Sequence, residues 1–438
     1  MASFHSKPLV EPPHSDASRR FIETGAPCES AEEYRPGGFH PVNLGDTFSD
    51  KKYRIIRKLG DGSYSTVWLA VSTGTPRYVA LKVMVAKAST SNTELDILGH
   101  LSKNSQKQGV FQENHQIKNN HHVTALLDTF QHHGPNGLHR CLAFEPMGTT
   151  AASLVEELPQ NKPKKRGKPQ RYPKRMAKKI LLHVIKGLAW IHQNEVVHGD
   201  VQPGNILFSI GDLAPVHEEE LKQDEASTAI PLCRVDGRID CWAPKNLYLK
   251  QPLYDRVRLG PDLQVKISDL GSAFWESNPP KSTVIPLSLR APELILHRQF
   301  DRGIDLWSFG CLVFEIIAGK ALFVVMQFGH DQKDEEEADD EHLLQLNDII
   351  GPLPDSIIDS WPRYSTWYGP GRRRRNPFGD EEPYIYKSLE NHFAECKSDE
   401  FDDKESAVIC ALIRDILVYD PSKRPSAIDI LKHPWFVE

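Results

Sequence analysis

The sequence has no C-x-x-C pair, and its seven cysteines are scattered and odd in number. Neither a disulfide framework nor a zinc site is indicated, and a reducing compartment fits. Positive charge is not in excess: 53 basic against 59 acidic residues leave −6, so there is no global attraction to nucleic acid or an anionic membrane. Met1–Val10 has no apolar core of a secretory leader, so none is expected. The most membrane-like stretch, Leu306–Phe328, is broken by Glu315 and Lys320 and reads as a buried helix. No internal repeat is apparent. A soluble protein of the cytoplasm or nucleus is expected, with no direct nucleic-acid or membrane partner.

What is present is an ordinary globular composition, 438 residues with 39% hydrophobic and 26% charged side chains, enough for a sizeable core. At ~150 residues per domain the length admits about three domains or one large two-lobed one. Residues 1–40 are rich in Pro, Ser, Glu and His without a sustained apolar period and read as a flexible tail. From Tyr53 the runs Tyr53–Leu59, Ser65–Val71 and Tyr78–Val83 predict three short strands, followed by a helix over Thr93–Leu101 and a strand over Cys141–Phe144. After Leu154 the pattern turns helical. Ile180, Leu181, Val184, Ile185, Leu188 and Ile191 repeat at helical spacing, and Leu306–Ala318 and Ala407–Val418 are further core helices. Strands first and helices afterwards predict an α+β fold with a small β-rich lobe and a larger α-rich one. Lys162–Lys179, Ser209–Pro261 and Phe328–Tyr384 read as inserted or solvated segments. The last holds the acidic run Asp334–Glu341 and the basic run Arg372–Arg375, and charge blocks predict exposed loops.

Chemistry concentrates in a few places. Leu59-Gly-Asp-Gly-Ser-Tyr-Ser-Thr-Val67 lies between two predicted strands, and Gly60 and Gly62 would let backbone N–H groups approach a phosphate chain. Lys82 sits in the following strand and Glu94 on the next helix, where it could pair with that lysine. His198-Gly-Asp-Val-Gln-Pro-Gly-Asn205 places a carboxylate and an amide five residues apart after a core helix. Asp200 could accept a hydroxyl proton, and Asn205 could ligate a divalent cation. Asp269-Leu-Gly271 follows an apolar strand, and Ala291-Pro-Glu293, Asp305-Leu-Trp-Ser-Phe-Gly310 and Asp420-Pro-Ser-Lys-Arg424 come after it. Taken singly, each is as well read as a turn or a surface side chain.

In this order the motifs resemble the protein-kinase signature set. The stretches Tyr34–Val42, Gly45–Phe48, Ser65–Ala70 and Asp269–Trp275 are similar to the SR-protein kinase family. The resemblance implies a two-lobed kinase domain over 53–436, with a small lobe over about 53–147 and a large lobe over about 148–436. Insertions fall at about 209–261 and 328–384. ATP and Mg²⁺ are implied as cofactors. Leu59, Gly60, Gly62, Ser65, Val67 and Lys82 would hold the nucleotide, with the Glu145 carbonyl and Met147 N–H on the adenine edge behind Phe144. Glu94 would hold Lys82, Asn205 and Asp269 would hold Mg²⁺, and Asp200 would be the catalytic base. A buried Glu293–Arg424 pair, Arg/Ser-rich splicing-type protein substrates and a monomer are also implied.

Three residues depart from that pattern. Gly199 replaces the Arg that grips an activation-loop phosphate. Gln202 replaces a Lys that neutralises the transferring phosphoryl group, and Pro286 replaces the Thr that partners that Lys. Asp200 and Asp269 are 69 residues apart by numbering, about 50 more than two short strands and a turn require. An excursion below the active site is expected there, a tolerated surface loop with Trp242–Tyr254 packing back on the lobe. An active Ser/Thr kinase and a pseudokinase acting as a nucleotide-binding or scaffold module both remain open. A small-molecule phosphotransferase is disfavoured by Ala291-Pro-Glu293 and the Asp305 helix. The basic run Lys162–Lys168 could act in nuclear import.

Overall fold

The computed structural model describes residues 19–74, 77–107, 121–164, 169–329, 331–379 and 381–437. They form two compact units. The first collects the described residues up to Lys107 together with Thr124–Thr149 and Ser209–Arg258; the second collects 121–123, Thr150–Phe208 and the chain from Leu259 onward.

The first unit is built on an antiparallel sheet of β1 (Thr47–Phe48), β2 (Tyr53–Gly62), β3 (Ser65–Ser72), β4 (Tyr78–Met84), β5 (Leu126–Gly134) and β6 (Gly137–Phe144), in spatial order β1-β2-β3-β4-β6-β5. β4, Tyr-Val-Ala-Leu-Lys-Val-Met, is buried at every position except Lys82, so one amphipathic residue emerges from an otherwise apolar central strand. Helix α1 (Thr93–Lys107) carries Glu94 and Asp96 in its first turn, where carboxylates suit the helix dipole.

Two segments depart from expectation. The flexible tail was predicted through residue 40, yet Phe21, Tyr34 and Phe39 are buried, and Arg20 is tied to Glu32, Asp240 and the Tyr34 carbonyl. Of that stretch, residues 1–18 lie outside the described residues. The segment after Ser209, expected as a surface loop with only Trp242–Tyr254 packing back, also buries its earlier part in the core of this same unit. Leu213, Leu221 and Leu253 cluster with Ile56, Leu69 and Tyr78. The hairpin of β9 (Ala229–Pro231) and β10 (Asn246–Tyr248) sends Tyr248 against Trp68 and Leu247 against Tyr34, Phe39 and Val85. Apolar residues spaced irregularly along loops leave no period to detect.

In the second unit, α2 (Ala151–Glu157) and the long α3 (Lys174–Gln193) precede β7 (Val196–Val197) and β8 (Ile206–Phe208). β8 pairs with β11 (Val265–Ile267) and β7 with β12 (Phe274–Trp275), both antiparallel. Helix α4 (Gly303–Ala318) is buried along its whole length except at Glu315, as befits a helix that is apolar all round. A Cβ on its Gly310 would meet Leu417 at 2.7 Å, so glycine permits close packing there. The acidic run expected as an exposed loop lies instead in α5 (Gln332–Ile349), opened by a capping box between Asp331 and Asp334. Its carboxylates crowd the N-terminal half, where they are stabilising, and Leu343, Leu344, Leu346 and Ile349 bury the other half. Helices α6 (Leu389–Cys396) and α7 (Asp403–Ile416) complete this unit. Among the described residues no helix is long and apolar enough to cross a membrane.

Candidate active site

In the first unit, β2 and β3 pair Gly60 with Val67 and Gly62 with Ser65 around a turn at Ser63 and Tyr64. Neither glycine has a positive φ, and a Cβ on either would meet nothing within 4 Å. Glycine is therefore required neither by the backbone nor by packing. It leaves one face of the hairpin bare, as close approach to a phosphate chain demands. Lys82 stands opposite Val67 on one side and Leu142 on the other. Its Nζ lies 2.7 Å from Glu94 Oε1 with both side chains largely buried, so the expected pair is assembled. Beyond Phe144, the Glu145 carboxylate accepts from the Ala125 N–H at 2.9 Å and fixes the segment leading to buried Met147.

In the second unit the loop from His198 to Asn205 joins β7 to β8. Asp305 on α4 is fully buried and accepts from the N–H groups of His198 at 2.8 Å and Gly199 at 2.9 Å, with His192 Nε2 at 2.9 Å. Burial alone would raise its pKa, but the hydrogen bond and charge of His192, the charge of His198 and the Gly199 N–H hold it below the usual carboxylate value. One buried carboxylate thus anchors the backbone immediately before Asp200. The chemistry of Gly199 follows from its place: φ is +75°, and a Cβ would meet the Ser272 carbonyl at 2.6 Å.

The Asp200 carboxylate is held from two sides. Gln202 Nε2 donates to its oxygens at 2.7 and 2.9 Å, and Asn205 Nδ2 donates at 2.8 Å. The Asn205 carbonyl accepts from Ser268 N–H at 2.8 Å and Ser268 Oγ at 3.0 Å, which ties this loop to the residue before Asp269. Asp269 itself is left-handed at φ 63° and accepts from the Gly271 N–H at 3.3 Å. With its nitrogen committed to Asp200, the Asn205 amide has its oxygen left for a cation. Asn205 and Asp269 together supply the hard oxygen donors that suit Mg²⁺ alongside phosphate oxygens.

A carboxylate held by amides, a hairpin with a bare glycine face and a lysine paired to a helix glutamate coincide with a family match. Residues 53–221 and 244–436 match the protein kinase domain. The chain belongs to the protein kinase family. The kinase is 29% identical to the serine/threonine-protein kinase SRPK of Physarum polycephalum, over 94% of this chain and 91% of that one. It is 26% identical to protein kinase dsk1 of Schizosaccharomyces pombe, over 94% and 85%, and 26% identical to the human dual specificity protein kinase CLK1, over 90% and 67%. A solved kinase-domain crystal structure superposes with a TM-score of 0.56 at 21% identity, covering 91% of this chain and 98% of the other. These relatives agree with the SR-protein kinase resemblance carried by Tyr34–Val42.

The implied pair also forms in the kinase: Arg424 Nη1 and Nη2 reach the Glu293 carboxylate at 2.5 and 2.7 Å, both side chains buried. Sequence reasoning missed the role of Asp305 and the Gln202–Asp200 contact. Asp305 was named only as the first residue of a motif, without a role, and Gln202 only as a lost cation.

Proposed function

We propose that the kinase transfers the γ-phosphoryl group of ATP to serine or threonine hydroxyls of protein substrates. Leu59, Gly60, Gly62, Ser65 and Val67 line the nucleotide, and the Glu145 carbonyl and Met147 N–H pair with the adenine edge. Lys82, positioned by Glu94, contacts the α- and β-phosphates. Asn205 and Asp269 hold Mg²⁺, which when bound neutralises charge on the phosphates. Asp200 accepts the proton of the attacking hydroxyl. The observation that carries the reading is the double clamp on Asp200. Its carboxylate is oriented by two amides although the usual lysine is gone, and a pre-oriented base is what proton transfer from a substrate hydroxyl requires.

Arg/Ser-rich proteins are the proposed substrates, and the cytoplasm or nucleus the proposed location. Glu335, Glu336 and Glu337 on α5 and Asp399, Glu400, Asp402 and Asp403 before and at the start of α7 are exposed, and such carboxylates attract an Arg-rich chain with steep salt sensitivity. The second reading, a pseudokinase that binds nucleotide without transferring it, is favoured by Gln202 and Pro286, which leave no cation beside Asp200 in the sequence of this loop. A labelled-ATP assay on an Arg/Ser-repeat peptide decides between them. Incorporation lost in Asp200→Ala supports the kinase; incorporation no greater than in that variant, with stabilisation by Mg-ATP, supports the pseudokinase.

A further inference from the structure

Asp61 stands between the two glycines of the nucleotide hairpin, an awkward place for an anion if a triphosphate is to lie there. Its carboxylate is only 11% exposed and is flanked by two ammonium groups, Lys58 Nζ at 3.6 Å and Lys250 Nζ at 3.8 Å. Asp61 Oδ1 is buried without a hydrogen-bond partner, so charge attraction is what holds it. Lys58 is fully buried. It also pairs with Glu29 of the N-terminal segment and donates to the Tyr248 carbonyl at 2.9 Å.

The strand edge just before this hairpin is gripped by the same inserted segment. β1 pairs with β2 only at Tyr53 and Arg54, which leaves the outer edge beyond them without a strand neighbour. There the Gln223 N–H donates to the Ile56 carbonyl at 2.9 Å, and Gln223 Oε1 accepts from the Lys58 N–H at 2.7 Å. The Gln251 N–H then donates to the Lys58 carbonyl at 2.8 Å. Gln223 Nε2 donates in turn to the Leu249 carbonyl at 2.9 Å. A buried side-chain amide thus does the work of a missing strand.

We infer that the segment Ser209–Arg258 is a positioning device for the nucleotide hairpin. Gln223 and Gln251 fix the root of β2, while Lys58 and Lys250 keep the Asp61 carboxylate neutralised and turned from the phosphates. The inference rests on the reading of this hairpin as the ATP site. Lys250 is a positioning residue: it acts on the nucleotide through Asp61.

The test is a double-mutant cycle in the full chain, with Lys250→Glu, Asp61→Asn and both together, measuring KM for ATP, KM for an Arg/Ser-repeat peptide and kcat. Lys250→Glu is expected to raise KM for ATP about tenfold, a like charge replacing an opposite one. The peptide KM and kcat should stay within about twofold. In the Asp61→Asn background the same substitution should change KM for ATP less than about twofold, because no carboxylate remains to be released. An equal rise in both backgrounds, or no rise in either, overturns the inference. Where turnover is too low to measure, calorimetric Kd for Mg-ATP replaces KM. A wild-type chain that binds no Mg-ATP overturns the ATP reading itself, whereas a chain that binds it equally well with Lys250→Glu overturns only the role of the insertion.

Discussion

Gln202 Nε2 lies 2.7 and 2.9 Å from the two carboxylate oxygens of Asp200. The glutamine orients the carboxylate by hydrogen bonding but brings no charge to the position. Gln202→Ala is therefore expected to lower kcat by about 10- to 100-fold with KM for ATP nearly unchanged, because an orienting contact to the base is lost. Gln202→Lys restores a cation where negative charge develops and should raise kcat by about tenfold. Steady-state kinetics on an Arg/Ser-repeat peptide checks both. No change in Gln202→Lys would mean that another group supplies the charge.

Gly199 cannot be exchanged for the phosphate-gripping arginine without cost. Its φ of +75° and the 2.6 Å approach of a Cβ to the Ser272 carbonyl put Gly199→Arg in a strained and crowded position, costing on the order of 1–3 kcal/mol. Gly199→Ala should already lower the melting temperature, and Gly199→Arg should lower it at least as much. Phosphatase treatment of the wild-type kinase should leave activity unchanged, because this loop holds no arginine to engage an activation-segment phosphate.

The residues proposed for the chemistry could be picked out in the sequence because each is a specific functional group at a fixed place in a motif. Lys82, Glu94, Asp200, Asn205 and Asp269 could be named from spacing and resemblance alone. Their supports could not. Asp305 holds the His198 and Gly199 backbone from a helix more than 100 residues away, and a backbone N–H leaves no mark in the sequence. Gln223 reads as a loop glutamine, although its amide replaces a strand. The predicted flexible tail failed at Arg20 and Tyr34 for a similar reason: single buried anchors in irregular backbone have no period. The acidic run of α5 failed differently, because a block of charge was read as a loop while the capping box and the apolar residues after Glu341 carried the helix.

The Glu293–Arg424 pair tests the stability of the second unit. Arg424 also donates to the Gly303 carbonyl at 3.0 Å and the Val418 carbonyl at 2.8 Å, and its guanidinium lies 4.9 Å from the Trp307 ring centre. Arg424→Met leaves the Glu293 carboxylate buried and unpaired, which costs about 3–5 kcal/mol. Thermal unfolding should begin at a distinctly lower temperature. Replacing both partners, Glu293→Met with Arg424→Met, should recover part of that loss, since no uncompensated charge remains.

Acid sensitivity should trace to a stacked pair of neutral imidazoles in the second unit. His122 and His183 lie with ring centres 4.1 Å apart. His122 Nδ1 is 3.0 Å from the Val265 carbonyl, and His183 Nδ1 accepts from the Val265 N–H at 3.3 Å. Burial pushes the His122 pKa down to about 4, against a backbone hydrogen bond that favours the charged form, with Lys186, Lys266 and His121 adding repulsion. Burial, then His122, Lys186 and Lys179, push His183 down to about 3. The unfolded chain, with ordinary histidines near ~6.5, binds protons that the folded one refuses. The stabilisation is therefore complete above about pH 6.5 and is lost as pH falls toward 4 and then 3. Each histidine contributes a slope of about 1.4 kcal/mol per pH unit inside that window. His183→Gln keeps an acceptor for the Val265 N–H but cannot titrate, so its melting temperature should fall less steeply between pH 6.5 and 5 than that of the wild type. Parallel curves for the two proteins would assign the acid sensitivity to other groups.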